Sequence, residues 1–161
     1  MNLDAAPVNR EPLVNSSIHI RNATPGDAIA IAELLAVLGY PSPADSIPDR
    51  LRRINASQAS TALVAELDHQ VVGIVTAQLV PSIHDDAPVA LITTLVVSTA
   101  LQGRGIGRAL VAAAEAWTHA GGAMRVAVTS RTRRVEAHRF YERLGYEKTG
   151  VRLGKSFSTS G

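Results

Sequence analysis

The segment that most narrows what this chain can fold into spans residues 89–122. An apolar, β-branched run, Val89-Ala-Leu-Ile-Thr-Thr-Leu-Val-Val97, leads into Leu101-Gln-Gly-Arg-Gly-Ile-Gly-Arg-Ala-Leu110. Apolar residues then recur at helical spacing at Ile106, Leu110, Ala113, Ala114 and Trp117, until Gly121-Gly122. The run lacks the alternation of a strand with one wet face, so it reads as a central strand covered on both sides. The paired glycines supply the left-handed stop that helices favour. Between strand and helix, Gly103, Gly105 and Gly107 carry no Cβ, so the backbone can turn its N–H groups inward and let a ligand approach closely. The helix start adds partial positive charge, and the combination is an anion site best matched to a pyrophosphate. Two other phosphate loops fit less well. The sixth place of a dinucleotide fingerprint needs glycine, but counting from Gly103 gives Arg108 and counting from Gly105 gives Leu110. No Gly-Lys-Ser/Thr follows, so a P-loop fails too.

The rest of the chain builds a sheet around that strand. Ile18–Arg21 alternates as a half-buried strand does, and Thr24 with Pro25 opens a helix that runs to Leu38 before Gly39. A short helix is expected over Asp45–Ile54, with Ile47, Leu51 and Ile54 on one face and arginines on the other. Thr61–Leu67 and Val71–Val80 read as a hairpin joined by Asp68-His69-Gln70. Met124–Thr129 is expected as a strand, Val135–Leu144 as a helix and Tyr146–Leu153 as a last strand. The order β-α-α-β-β-β-α-β-α-β implies an α/β (α+β) fold, a mixed sheet with helices on its faces. One domain over residues 17–153 is expected, between a flexible leader at 1–16 and a flexible Ser- and Gly-rich tail at 154–161.

Composition excludes several classes. The chain has no cysteine, which removes disulfides, thiolate metal sites and cysteine nucleophiles. No stretch approaches the roughly 20 apolar residues of a membrane span, and the first sixteen residues lack a signal-peptide core, so a cytoplasmic protein without membrane contact is expected. The pI near 9.4 and the arginines at 50–53, 104, 108 and 131–134 suit anionic groups. Nucleic acid is not the expected partner, since aromatic residues are only 4% of the chain and no recognition helix appears. His84-Asp85-Asp86 are three adjacent loop residues and make no closed ligand set, so no metal is expected.

Two segments together resemble the GNAT N-acetyltransferases. Gln102-Gly-Arg-Gly-Ile-Gly107 matches their Q/R-x-x-G-x-G/A motif, and Ala137-His-Arg-Phe-Tyr-Glu-Arg-Leu-Gly-Tyr146 matches their A-x-x-F-Y-x-x-x-G-F/Y segment. The likeness covers about residues 17–153 and implies a mostly antiparallel sheet whose central strand pair splays, flanked by helices on both faces. It implies acetyl-CoA as cosubstrate, with Gln102, Gly103, Arg104, Gly105, Ile106, Gly107 and Arg108 holding its pyrophosphate. The pantetheine arm would pair with the backbone of Leu95, Val96 and Val97, as a peptide adds to a sheet edge. Three places before Ala137 the family often has asparagine where this chain has Arg134, so that contact is not carried over.

Acetyl transfer to an amine needs a neutral nitrogen, a polarised thioester carbonyl and a proton for the departing thiolate. In the family Tyr141 stands near the sulfur, where a phenol can donate. A backbone N–H near Leu95 or Val96 would polarise the carbonyl. Glu66, at the end of its strand, is one candidate base, and His84, Asp85 and Asp86 are a second group. The expected acceptor is a small-molecule amine. A non-catalytic acyl-CoA-binding module, or acetylation of a protein N-terminus or lysine, are the alternatives. The edge at Val151-Arg-Leu-Gly154 leaves a homodimer open.

Overall fold

The computed structural model describes residues 17–130 and 134–158. Five strands form one sheet in the order β1 (His19–Asn22), β2 (Ser60–Leu67), β3 (Gln70–Val80), β4 (Val89–Val97) and β5 (Arg125–Val128). Neighbours are antiparallel except β4 and β5, which run parallel because helix α3 (Ile106–Ala120) carries the chain back between them. The β2–β3 connection is tight, with Asp68 and His69 at φ 49° and 63°, the left-handed pair that matches hairpin twist.

The sheet has a core on each face. Helices α1 (Ala28–Leu38) and α2 (Ile47–Asn55) bring Ile31, Leu34, Ile47 and Leu51 against Val64, Ile74 and Val96. On the other face α3 and helix α4 (Val135–Arg143) bring Ile106, Leu110, Val111 and Tyr141 against Leu63, Val75 and Ile92. Strands β3 and β4 therefore lie between the two cores, as their mostly apolar sequence demands. Gly73 in β3 is required by this sandwich: a Cβ there would stand 2.9 Å from Leu110 Cδ1 and 3.1 Å from the Val96 carbonyl.

The chain enters α1 through a 3₁₀ turn, Pro25–Asp27, preceded by Thr24 as the sequence implies. Asp27 is buried, and its carboxylate accepts bonds from the Thr24 N–H (2.8 Å) and hydroxyl (3.1 Å) and from both Arg21 terminal nitrogens (2.8 and 2.9 Å). These bonds, the Arg21 one first, hold the Asp27 carboxyl below the usual carboxylate range against the opposing effect of burial. Arg21 thereby joins β1 to the start of α1.

The end of the chain departs from expectation. In place of a strand over Tyr146–Leu153, residues 147–153 have no regular structure and are exposed, Val151 and Leu153 at 89% and 90%. A strand needs a neighbour's free N–H and C=O groups as well as a suitable sequence, and no ladder between this segment and β5 forms. Gly154–Ser158 are exposed and irregular as well. The leader at 1–16, residues 159–161, and Arg131 and Arg133 of the arginine cluster lie outside the described residues. No helix among the described residues is long and apolar enough to cross a membrane.

Candidate active site

Strands β4 and β5 part company midway. They pair only from Val89 with Arg125 to Ile92 with Val128, while β4 continues to Val97. The break coincides with a bulge: Thr76 of β3 pairs with Thr94 and Ala77 pairs with Ile92, which leaves Thr93 as an extra residue. A bulge bends its strand and ends regular pairing. Leu95, Val96 and Val97 thus lie on the stretch of β4 that runs past its last pairing with β5, beside the gap that opens between the two strands. Thr93 itself is exposed, and its hydroxyl lies 2.7 Å from that of Thr76.

Beyond Val97 the chain makes one more tie to β3, from the Ser98 N–H to the Val72 carbonyl (2.8 Å), and a 3₁₀ turn over Thr99–Leu101. Gln102 is extended and its side-chain amide donates a long bond (3.4 Å) to the Val97 carbonyl. Gly103 and Gly105 then take φ of 79° and 81°, and a Cβ on either would meet nothing within 4 Å. Open space in front of a left-handed glycine pair is what a bound diphosphate needs. The first N–H groups of α3, at Ile106, Gly107 and Arg108, have no intrahelical acceptor and follow directly on this turn. Arg104 and Arg108 are exposed beside it, and the Ile106 side chain points away into the core. Gly107 has a second use that the sequence does not reveal: a Cβ there would stand 3.3 Å from the Phe140 ring, so glycine lets α4 pack on α3.

Tyr141 is buried in the α3/α4 core with its ring edge-on to Phe140 and Tyr146, centroids 5.1 and 5.3 Å away. Burial raises its hydroxyl to about 12, and the positive charge of Arg134 acts in the other direction. Side chains on a helix lean toward its N-terminus. The Tyr141 ring therefore leans toward Arg134, where α4 begins just past the end of β5. Tyr146 donates to Glu115 (2.8 Å), and burial and then that bond push its pKa well above the ordinary value.

The base candidates are placed less favourably. Glu66 sits on β2, separated from β4 by β3, so two strand spacings of about 4.8 Å each lie between it and the gap. Its carboxylate receives the Arg21 Nε (2.9 Å) and ion-pairs with Nη2 (2.8 Å). Asp85 accepts from Arg125 (2.7 Å) at the far end of β4 and β5 from the cradle, while His84 and Asp86 are exposed in the same loop. One residue that sequence reasoning passed over stands out. Ser130, just after β5 turns away from β4, has a buried hydroxyl with no hydrogen-bond partner among the described residues. Serine at a strand end carries no sequence signal, and only burial exposes its unmet need. No group of three His, Asp or Glu among the described residues is placed to hold a metal.

A strand pair that splays at a bulge, with a left-handed glycine turn opening a helix at its end, marks an acyl-CoA transferase fold. The sequence pattern of the Acetyltransferase (GNAT) family matches residues 30–146, and the chain belongs to that family. It is an acetyl-CoA-dependent N-acetyltransferase. Over 143 residues, 85% of this chain and 91% of the relative, it is 32% identical to an aminoglycoside N(6′)-acetyltransferase type 1 of Stenotrophomonas maltophilia. Among solved structures, a transcriptional regulator from Bacillus halodurans superposes with a TM-score of 0.80 at 28% identity, over 88% of this chain and all of that one. Aminoglycoside N-acetyltransferase AAC(6′)-Iy, solved with CoA, superposes with a TM-score of 0.81 over 92% of this chain and all of its own, at 18% identity, a likeness of fold.

Proposed function

We propose that this chain acetylates a primary amine of a small, polar molecule by direct transfer from acetyl-CoA. The observation that carries the proposal is the run of β4 past its last pairing with β5, into a turn that Gly103 and Gly105 hold open. Main-chain groups of Leu95, Val96 and Val97 suit the amides of a pantetheine arm, and residues 102–108 suit its pyrophosphate. The choice of a small-molecule amine follows the Stenotrophomonas relative, whose name gives an aminoglycoside as its acceptor.

The acceptor's neutral amine attacks the thioester carbon, forming the C–N bond. The carbonyl oxygen gains charge, which a main-chain N–H at Leu95 or Val96 stabilises. The C–S bond then breaks, and the proton that nitrogen loses ends on sulfur as free thiol. Tyr141 keeps its own proton in this exchange. A phenol near 12 is a far weaker acid than a thiol near 8.5, so it serves by donating a hydrogen bond to the developing thiolate. Arg134, whose charge opposes the upward shift, strengthens that donor. Glu66 would take the ammonium proton through intervening water, since it lies on β2, with β3 between it and β4.

Thermal unfolding with acetyl-CoA, with NAD as control, tests the cradle. A rise for acetyl-CoA alone is expected, and a shift for neither ligand would remove the cosubstrate assignment. Thiol release is then followed with an aminoglycoside and with a peptide bearing a free N-terminus. Release with the former alone supports the small-molecule acceptor. Release with the peptide alone moves the acceptor to protein. Binding without release from any amine leaves the acyl-CoA-binding module.

A further inference from the structure

Building on the transferase reading, we propose that the hydroxyls of Thr76 and Thr93 select the acceptor by hydrogen-bonding a hydroxyl group on the carbon next to the amine, so that vicinal amino alcohols are preferred. Strand β4 has β3 on one side and β5 on the other, and Thr93 is the one exposed residue of its nine. An exposed side chain at the middle of an inner strand means that one face of the sheet is uncovered there.

Neighbouring residues fix which face this is. Val75 and Ala77 belong to the core under α3 and α4, so Thr76 between them points to the α1/α2 side, as Ile74 does. The bulge turns Thr93 to the same side. Ile92 and Leu95 both pack toward α3 and α4 although they are three residues apart, and the extra residue falls between them. The 2.7 Å between the two hydroxyls places them together. Tyr141 lies in the core of the opposite face. With Tyr141 at the sulfur, the amine reaches the thioester carbon from the other side of the sheet, where the threonines stand. Thr93 is two residues from Leu95, about 7 Å along the strand, within reach of a group a bond or two beyond the attacking nitrogen.

The chemistry of the pair selects its ligand. A threonine hydroxyl has one proton and two lone pairs. The two bond each other, and Thr93 makes one further long contact, 3.4 Å, to the Thr76 carbonyl. Lone pairs and a weakly held proton are left for a ligand. An ammonium can only donate and a carboxylate only accept, whereas a hydroxyl does both and matches the pair. An amine without that hydroxyl would strip water from the threonines and replace none of its bonds. The strand itself does not require these hydroxyls, since valine is β-branched and of similar size.

Thiol release with trans-2-aminocyclohexanol and with cyclohexylamine, which differ in one hydroxyl, tests this. The wild type should favour the amino alcohol in kcat/KM by about tenfold, the scale of one hydrogen bond. Thr76→Val and Thr93→Val should each abolish most of that preference, chiefly through KM, and Thr93→Ser, which keeps a hydroxyl, should retain it. Equal use of the two amines by the wild type, or a preference that survives in both valine variants, would overturn the proposal. Should a valine variant not fold, the wild-type preference and the serine variant decide. No release from either amine also overturns it, while the transferase reading stands or falls separately on the aminoglycoside assay.

Discussion

Gly105 does two things at once: it holds φ at 81°, and it leaves empty the space a ligand needs. Gly105→Val meets no clash, yet an L-residue forced left-handed costs about 1–2 kcal/mol, which lowers the melting temperature by about 5 °C. The acetyl-CoA-induced rise in melting temperature should vanish in this variant; a retained rise would separate the cradle from cosubstrate binding. Tyr141→Phe keeps the ring packing against Phe140 and Tyr146 and removes only the donor. The rate should fall about 100-fold with little change in stability. Because burial holds this hydroxyl near 12, it stays protonated through neutral pH. The wild-type kcat/KM profile should therefore show no descending limb below about pH 10 from this group. A limb near pH 8 that disappears in Tyr141→Phe would contradict the assignment. The glycine pattern was legible in the sequence because it names a backbone conformation. The Ser130 hydroxyl and the contact of Gly107 with Phe140 were not, because both depend on what the folded chain places beside them.

Elements show the same division. Helix α1 was readable from Thr24, Pro25 and the apolar spacing, and the β2–β3 hairpin from a short polar turn between apolar runs. The bond that ties α1 to the sheet was not, since Arg21 and Asp27 sit on different elements and Glu66 is 45 residues further on. Asp27→Asn should cost about 2 kcal/mol, the scale of hydrogen bonds to a charged group. The sign of the pH dependence follows from the lowered carboxyl. Stability from this group is complete above the unfolded pKa near 4 and is lost as pH falls through the lower folded value. Urea unfolding between pH 2 and 6 should show the asparagine variant closing on wild type at the acid end. Equal differences at all pH values would mean that the carboxylate charge is irrelevant.

For the whole molecule, the expected last strand is informative through its failure to form. A strand over Tyr146–Leu153 was expected, but a strand is a relation between two segments, and among the described residues none pairs with this one.

The sequence by itself determined the order of elements as far as α4, the burial of β4 between two cores and the glycine turn at its end. Each of these depends on residue type at short range: periodicity, missing Cβ atoms and helix ends. The tertiary structure decided where β4 and β5 part, and that Glu66 is bound to Arg21 two strands from the gap. It also decided that Tyr141 is a buried phenol and that, among the described residues, β5 pairs with β4 alone. Those are matters of register, burial and partner, set by contacts between residues far apart in the chain, to which a local pattern carries no physical connection.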